Sequence, residues 1–172
     1  MQQLCLTGAS AAIIADRLFS ALNVRPMGLR ILPFTVDGCE RGDALHLLPP
    51  PAPPALNGVP CRIRLTPQRS AVLTQALEEI AAPGLTAALR IQSPLLLEGL
   101  SGDLLACDAL RDAVKACLMS RFPVVITADA GARKILQTLT PREDQLWFDV
   151  PEDPAGQSAL LEQLIPEAAL RF

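Results

Sequence analysis

The sequence predicts an α/β fold: a mostly parallel sheet with helices on both faces and an antiparallel hairpin insertion, in one domain over residues 1–172. Three observations carry this. After residue 60, short apolar runs such as Leu95–Leu97 and Val124–Ile126 alternate with amphipathic helical stretches. That is the pattern of parallel strands buried on both faces. Before it, two strand-like runs flank "DGCERG", with Asp37-Gly38 as hairpin turn chemistry. Finally, 172 residues that are 50% hydrophobic supply one core.

The elements follow in order. "QQLCLT" reads as a short buried strand, and "SAAIIADRLFSAL" as a helix with Ser10 as N-cap. Ile14, Leu18, Ala21 and Leu22 fall on one helical face. The hairpin pairs "MGLRILPFTV" with "DALHLL", and His46, alternating with Leu45 and Leu47, is expected at the surface. "PPPAPPALNG", which contains the Pro49–Pro54 run, is expected to be a stiff surface connector. "CRIRL" is a strand on which Arg62 and Arg64 are expected to face water. "TPQRSAVLTQALEEIAA" is expected to be a helix, with Thr66 as N-cap and Pro67 in its first turn. "PLLLEG" is an apolar strand ending in a carboxylate, and "DLLACDALRDAVKACLMSRF" a long amphipathic helix. The strands "PVVITA" and "QLWFDV" bracket the helix "AGARKILQTL", and "GQSALLEQLIPEAAL" is the closing helix.

Composition excludes several function classes. A net charge of −3 argues against nucleic-acid binding, which calls for a basic face. No apolar run reaches the roughly 20 residues of a membrane helix, no basic amphipathic helix points to a membrane surface, and "MQQLCLTG" lacks a charged signal-peptide start. The five cysteines form no C-x-x-C pair and there is one histidine, so no zinc site is expected. Reduced thiols in a cytoplasmic protein are the expectation.

The turn after the first strand is where a parallel sheet places a ligand. A P-loop, G-x-x-x-x-G-K-[ST], wraps phosphates with backbone N–H groups, neutralises them with lysine and holds Mg²⁺ with a hydroxyl. Laid from Gly8, its second glycine falls at Ile13, its lysine at Ile14 and its hydroxyl at Ala15. The aliphatic side chains are expected to fill the space of the phosphates. What remains is an anion-binding remnant, Gly8, Ala9, Ser10, Ala11 and Ala12, at a helix N-terminus. "TGAS" also matches the Gly-rich turn of short-chain dehydrogenases. The later glycines are absent there, however, and a tyrosine-free chain lacks that family's catalytic residue.

With "LLLEGLSGDLLACDALRDAV" the arrangement resembles the P-loop nucleoside-triphosphatase family first described from thermophiles, also called cancer-related nucleoside-triphosphatase. That family's Gly-Phe-x-Thr hairpin is echoed by Gly28, Thr35, Gly38, Arg41 and Gly42, its Pro-started helix by "TPQRSAVLTQALEEI", and its last strand and αβ elements by "FPVVITADAG" through "LLEQL". The resemblance spans nearly the whole chain and rests on pattern and spacing. It implies that Glu98 stands for the Mg²⁺-binding aspartate, Gly99 for the catalytic glutamate and Leu104 for a later glutamate. The chain is thus expected to keep the fold, to lack NTP hydrolysis and any cofactor, and to serve a binding or regulatory role. The alternative is an active phosphohydrolase with a displaced site. There Glu98 or Asp103 would hold Mg²⁺ and Arg133 or Lys134 would contact phosphate. A third reading is a structural assembly partner, with another protein or a second copy. In the inactive readings Glu98 is a relic that caps a helix or forms a salt bridge near the sheet edge.

Overall fold

A computed structural model describes residues 3–50, 57–140 and 142–170. The Pro49–Pro54 connector therefore lies mostly outside the described residues. The described residues form one eight-stranded sheet in the order β5-β4-β3-β2-β6-β7-β1-β8. Its parallel part comprises β2 (Met27–Val36), β6 (Leu95–Leu100), β7 (Val124–Ala128), β1 (Gln3–Thr7) and β8 (Gln145–Asp149). The other side is antiparallel: β2 pairs with β3 (Cys39–Leu48), β3 with β4 (Val59–Thr66), and β4 with β5 (Arg69–Val72).

Alternation along the parallel strands sends neighbouring side chains to opposite faces. Leu6, Leu96 and Val125 meet α1 (Ala11–Ala21) and α6 (Pro154–Ala169) on one face. Cys5, Leu95, Leu97, Val124 and Ile126 meet α4 (Asp108–Leu118), α5 (Ala130–Leu139) and the helical segment after β5 on the other. Helices on both faces explain why these strands read as unbroken apolar runs. The hairpin turn also follows the expected chemistry, since Asp37 and Gly38 both have positive φ, at 51° and 74°.

Several expectations are corrected. Residues 66–72 are not helical. Thr66 pairs with Arg69, Arg64 with Ser70 and Ile63 with Ala71, closing a second hairpin around Pro67-Gln68. Thr-Pro suits a helix start, but Pro also suits the second position of a β-turn, and the free edge of β4 decides for the latter. The helix begins only at α2 (Thr74–Ala76) and continues through a π-helical turn, Leu77–Ala81, into α3 (Ala82–Ala88). The wide turn sits just before Pro83, which has no N–H for an α-helical bond. The expected long helix after β6 is divided: a 3₁₀ turn, Leu104–Ala106, precedes α4. Ala21 is exposed, and the buried face of α1 is Ala11, Ile14, Ala15, Leu18 and Phe19. Ser10 holds the N-cap position of α1, but its side chain caps nothing. His46 is half-buried rather than exposed, lying close to Gly58. Among the described residues no helix is long and apolar enough to cross a membrane.

Candidate functional site

The topology singles out one crevice. From β1 the chain leaves to the α1 face; from β7 it leaves to the α5 face. Adjacent strands whose connections part this way form the switch point where α/β sheets bind ligands. Gly8, Ala9 and Ser10 lie there as the whole β1–α1 connection.

Three residues are too few for a phosphate loop. Gly8 takes φ +106°, and its carbonyl accepts from the Ala11 N–H at 3.1 Å. The Ile14 N–H donates to the Ser10 carbonyl, so Ala11, Ala12 and Ile13 already belong to the helix. The segment that would wrap phosphates is wound into helix instead. The isoleucines do not plug a cavity as expected. Ile13 is 54% exposed, whereas Ile14 is fully buried with Leu6, Leu18, Leu96 and Val125 in the core. Ala15, at the Mg²⁺-hydroxyl position, is also fully buried. The Gly8–Ala12 remnant therefore keeps a helix N-terminus but no cradle.

Glu98 lies on β6, an interior strand, and is 2% exposed. Arg30 is its register partner on β2, and the Arg30 Nε stands 3.1 Å from the Glu98 Oε2. Arg30 also pairs with Asp16 on α1. Burial pushes the Glu98 carboxyl above the usual range; Arg30 opposes the shift and Asp16 adds to it. The salt-bridging reading of Glu98 thus describes its place, although β6 is not at the sheet edge. Mg²⁺ does not suit this carboxylate, because a guanidinium already faces it and Ala15 offers no hydroxyl.

Gly99 has φ +79°, and a Cβ added there would lie 2.4 Å from the Ile31 carbonyl oxygen. The strand bulges at this point, with its β7 register shifting between Leu97 and Leu100. The Gly99 N–H instead donates to Thr127 Oγ1 at 2.8 Å. The backbone leaves no room for a glutamate side chain.

The remaining candidates are held apart. Asp103 accepts from Ser101 at 2.5 Å and from Arg62 at 2.9 and 3.0 Å. Burial works to raise its carboxyl, but the Ser101 and Arg62 hydrogen bonds prevail and lower it. Arg62, expected to face water, also donates to Asp43 and reaches Ser101 at 3.3 Å. Arg133 stacks over the Trp147 ring at 4.9 Å and pairs with Asp149 at 3.2 Å. Asp149 in turn accepts from Thr7 at the end of β1. Lys134 is exposed. Glu98, Asp103 and Arg133 thus belong to three separate ion pairs, and no cluster of three or more His, Cys, Asp or Glu suited to a metal occurs among the described residues. Sequence reasoning missed Arg30 and Asp149; a basic residue one strand over from Glu98 was visible only once the β2–β6 pairing was known. Four cysteines are buried and Cys39 is exposed, all unpaired. Burial raises the thiols of Cys5 and Cys117 to about 12 and that of Cys61 to about 11, so these three stay protonated.

No family model matches the chain, and no curated protein matches it in sequence. The solved structure of THEP1 from the hyperthermophile Aquifex aeolicus is similar, with a TM-score of 0.70 at 14% identity, over 97% of this chain and 98% of that one. At that identity the likeness is one of fold, and it agrees with the strand order and the two-faced helical cover: the chain has an α/β fold of the P-loop NTPase-like type.

Proposed function

We propose that this chain is a P-loop NTPase-like domain that does not hydrolyse nucleoside triphosphates and serves as a binding or regulatory module. The observation that carries the reading is the three-residue β1–α1 turn, which commits Ile14 to the core at the place of the phosphate-binding lysine. Gly99 supports it, because the position of the water-activating carboxylate has positive φ and no space for a Cβ. Glu98 supports it too, since its charge is answered from within by Arg30. In this reading no cofactor is needed, and Mg²⁺ has no built site. The partner in this reading is another protein or a second copy of the chain, in the cytoplasm, without nucleic acid or membrane. At most a small anion binds weakly at the α1 N-terminus, Gly8 to Ala12.

A phosphate-release assay with Mg²⁺ and ATP or GTP, on the wild type and on Glu98→Gln, tests this. The expected result is release at the buffer rate in both. Enzymatic release that falls on the Glu98 substitution would reject the reading in favour of a displaced active site.

A further inference from the structure

We propose that a cavity on the two-hairpin side of the sheet binds the phosphoryl group of a small phosphomonoester. The cavity has a volume of about 280 Å³ and lies between β3, β4 and the β4–β5 turn. It is distinct from the β1–α1 turn. Five strand steps separate β4 from β1, roughly 24 Å at the usual spacing. The inference therefore does not depend on the fate of the P-loop.

The cavity's chemistry is set by pairing. Arg62 and Arg64 stand two residues apart on β4 and so share a face. The β5 register sets Ser70 beside Arg64 and Arg69 beside Thr66. Arg62, Arg64, Thr66, Arg69 and Ser70 are among the residues that line one small space, with Glu40 and Asp43. They are not equally available. Arg62 is committed to Asp43 and Asp103. Among the described residues Arg64 pairs with Glu40 alone, and both side chains of that pair are nearly half exposed. Such a surface pair contributes little and exchanges readily. Arg69 has no ion-pair partner among the described residues and is exposed. The uncommitted set, Arg64 and Arg69 against Glu40, carries one net positive charge and several mobile donors. Guanidinium forks match tetrahedral oxyanions bidentately, with Thr66 and Ser70 as further donors. A volume below that of a drug-sized pocket suits a phosphorylated small molecule rather than a larger ligand. On binding, the phosphoryl oxygens replace the Glu40 carboxylate on Arg64 and bring Arg69 into the site, while Arg62 stays on Asp43 and Asp103 as a fixed wall.

The test is a titration of the full chain with inorganic phosphate and with phenyl phosphate at low ionic strength, read by calorimetry. Saturable binding in the millimolar range or tighter is expected, with phenyl phosphate at least as tight as phosphate. Arg64→Ala and Arg69→Ala should each weaken it about tenfold, the loss of one charge-assisted hydrogen bond. Glu40→Gln should tighten it, because a competing carboxylate is removed. Arg17→Ala, an exposed arginine on α1, should leave it unchanged. Matched circular dichroism and melting temperatures confirm that each variant folds. No saturation into the millimolar range, equal binding by the Arg64 and Arg69 variants, or weaker binding by Glu40→Gln would overturn the proposal. Those results would leave the account of the β1–α1 turn untouched, because none of these residues belongs to it.

Discussion

Ile14, Glu98 and Gly99 carry the proposed reading at the scale of single residues, and each supports a prediction. Ile14 is fully buried against the sheet, so Ile14→Lys, which rewrites the P-loop lysine, puts an unpaired ammonium into the core. The expected outcome is destabilisation by about 3 kcal/mol or more with no gain of ATP binding, read by urea unfolding and nucleotide titration. Recovered binding in a folded variant would show that the turn can still open into a cradle. Gly99→Ala must place a Cβ against the Ile31 carbonyl at positive φ. A loss of about 2 kcal/mol or more is expected in denaturant unfolding, and a loss near zero would show that the bulge relaxes freely. Glu98 gives a pH signature. Its carboxyl is raised in the folded state, chiefly by burial. The stability this contributes is present in full below the ordinary glutamate range, and it declines as pH rises through that range to the raised folded value. Glu98→Gln should remove this decline and be no less stable than wild type at neutral pH. A wild type that gains on the variant as pH rises from acid to neutral would contradict the assignment. The positions that depart from the P-loop pattern were legible in the sequence, because they are local. The Arg30–Glu98 pair was not, because it joins residues 68 positions apart through strand register.

Among the elements, the two hairpins and the β6–α4 connection are tied together by Arg62. It reaches Asp43 on β3 and both Ser101 and Asp103 after β6. Arg62→Ala leaves those carboxylates without their cation, and a cost of about 1–3 kcal/mol in thermal or urea unfolding is expected. A cost within error would mean that the hairpins do not lean on the loop. The Asp103 carboxyl is lowered, so its stabilising share is present above the ordinary aspartate range and is lost as pH falls through the lowered value. In the Arg62→Ala background that acid-side loss should shrink. What the sequence revealed at this scale follows the range of the forces. The Asp37-Gly38 turn and the apolar parallel strands announce themselves locally. The second hairpin did not, because Thr66-Pro67 fits both a helix start and a turn, and the edge of β4 that settles the matter is fixed by pairing with β3. The π-helical turn before Pro83 was hidden for a similar reason: proline and glycine suggest a helix end, yet Leu77, Ala81 and Leu85 are buried and hold the helix onto the core across both.

For the whole molecule, a sheet of this order places its switch point between β1 and β7, and the fold is shared almost end to end with a solved structure at 14% identity. At that switch point the β1–α1 connection is a three-residue turn. Burial of the α1 face against the sheet uses Ile14 and Ala15 for cohesion, positions that a phosphate loop would use for ligand. In the proposed reading, stability and triphosphate binding compete for the same residues, and cohesion prevails. The most direct measurement is isothermal titration of the full chain with Mg²⁺-ATP and Mg²⁺-GTP, followed by a crystal soak at the highest concentration reached. The account predicts no micromolar binding and no nucleotide at the Gly8 turn. Micromolar binding with a triphosphate lodged between Gly8 and Ile13 would contradict it.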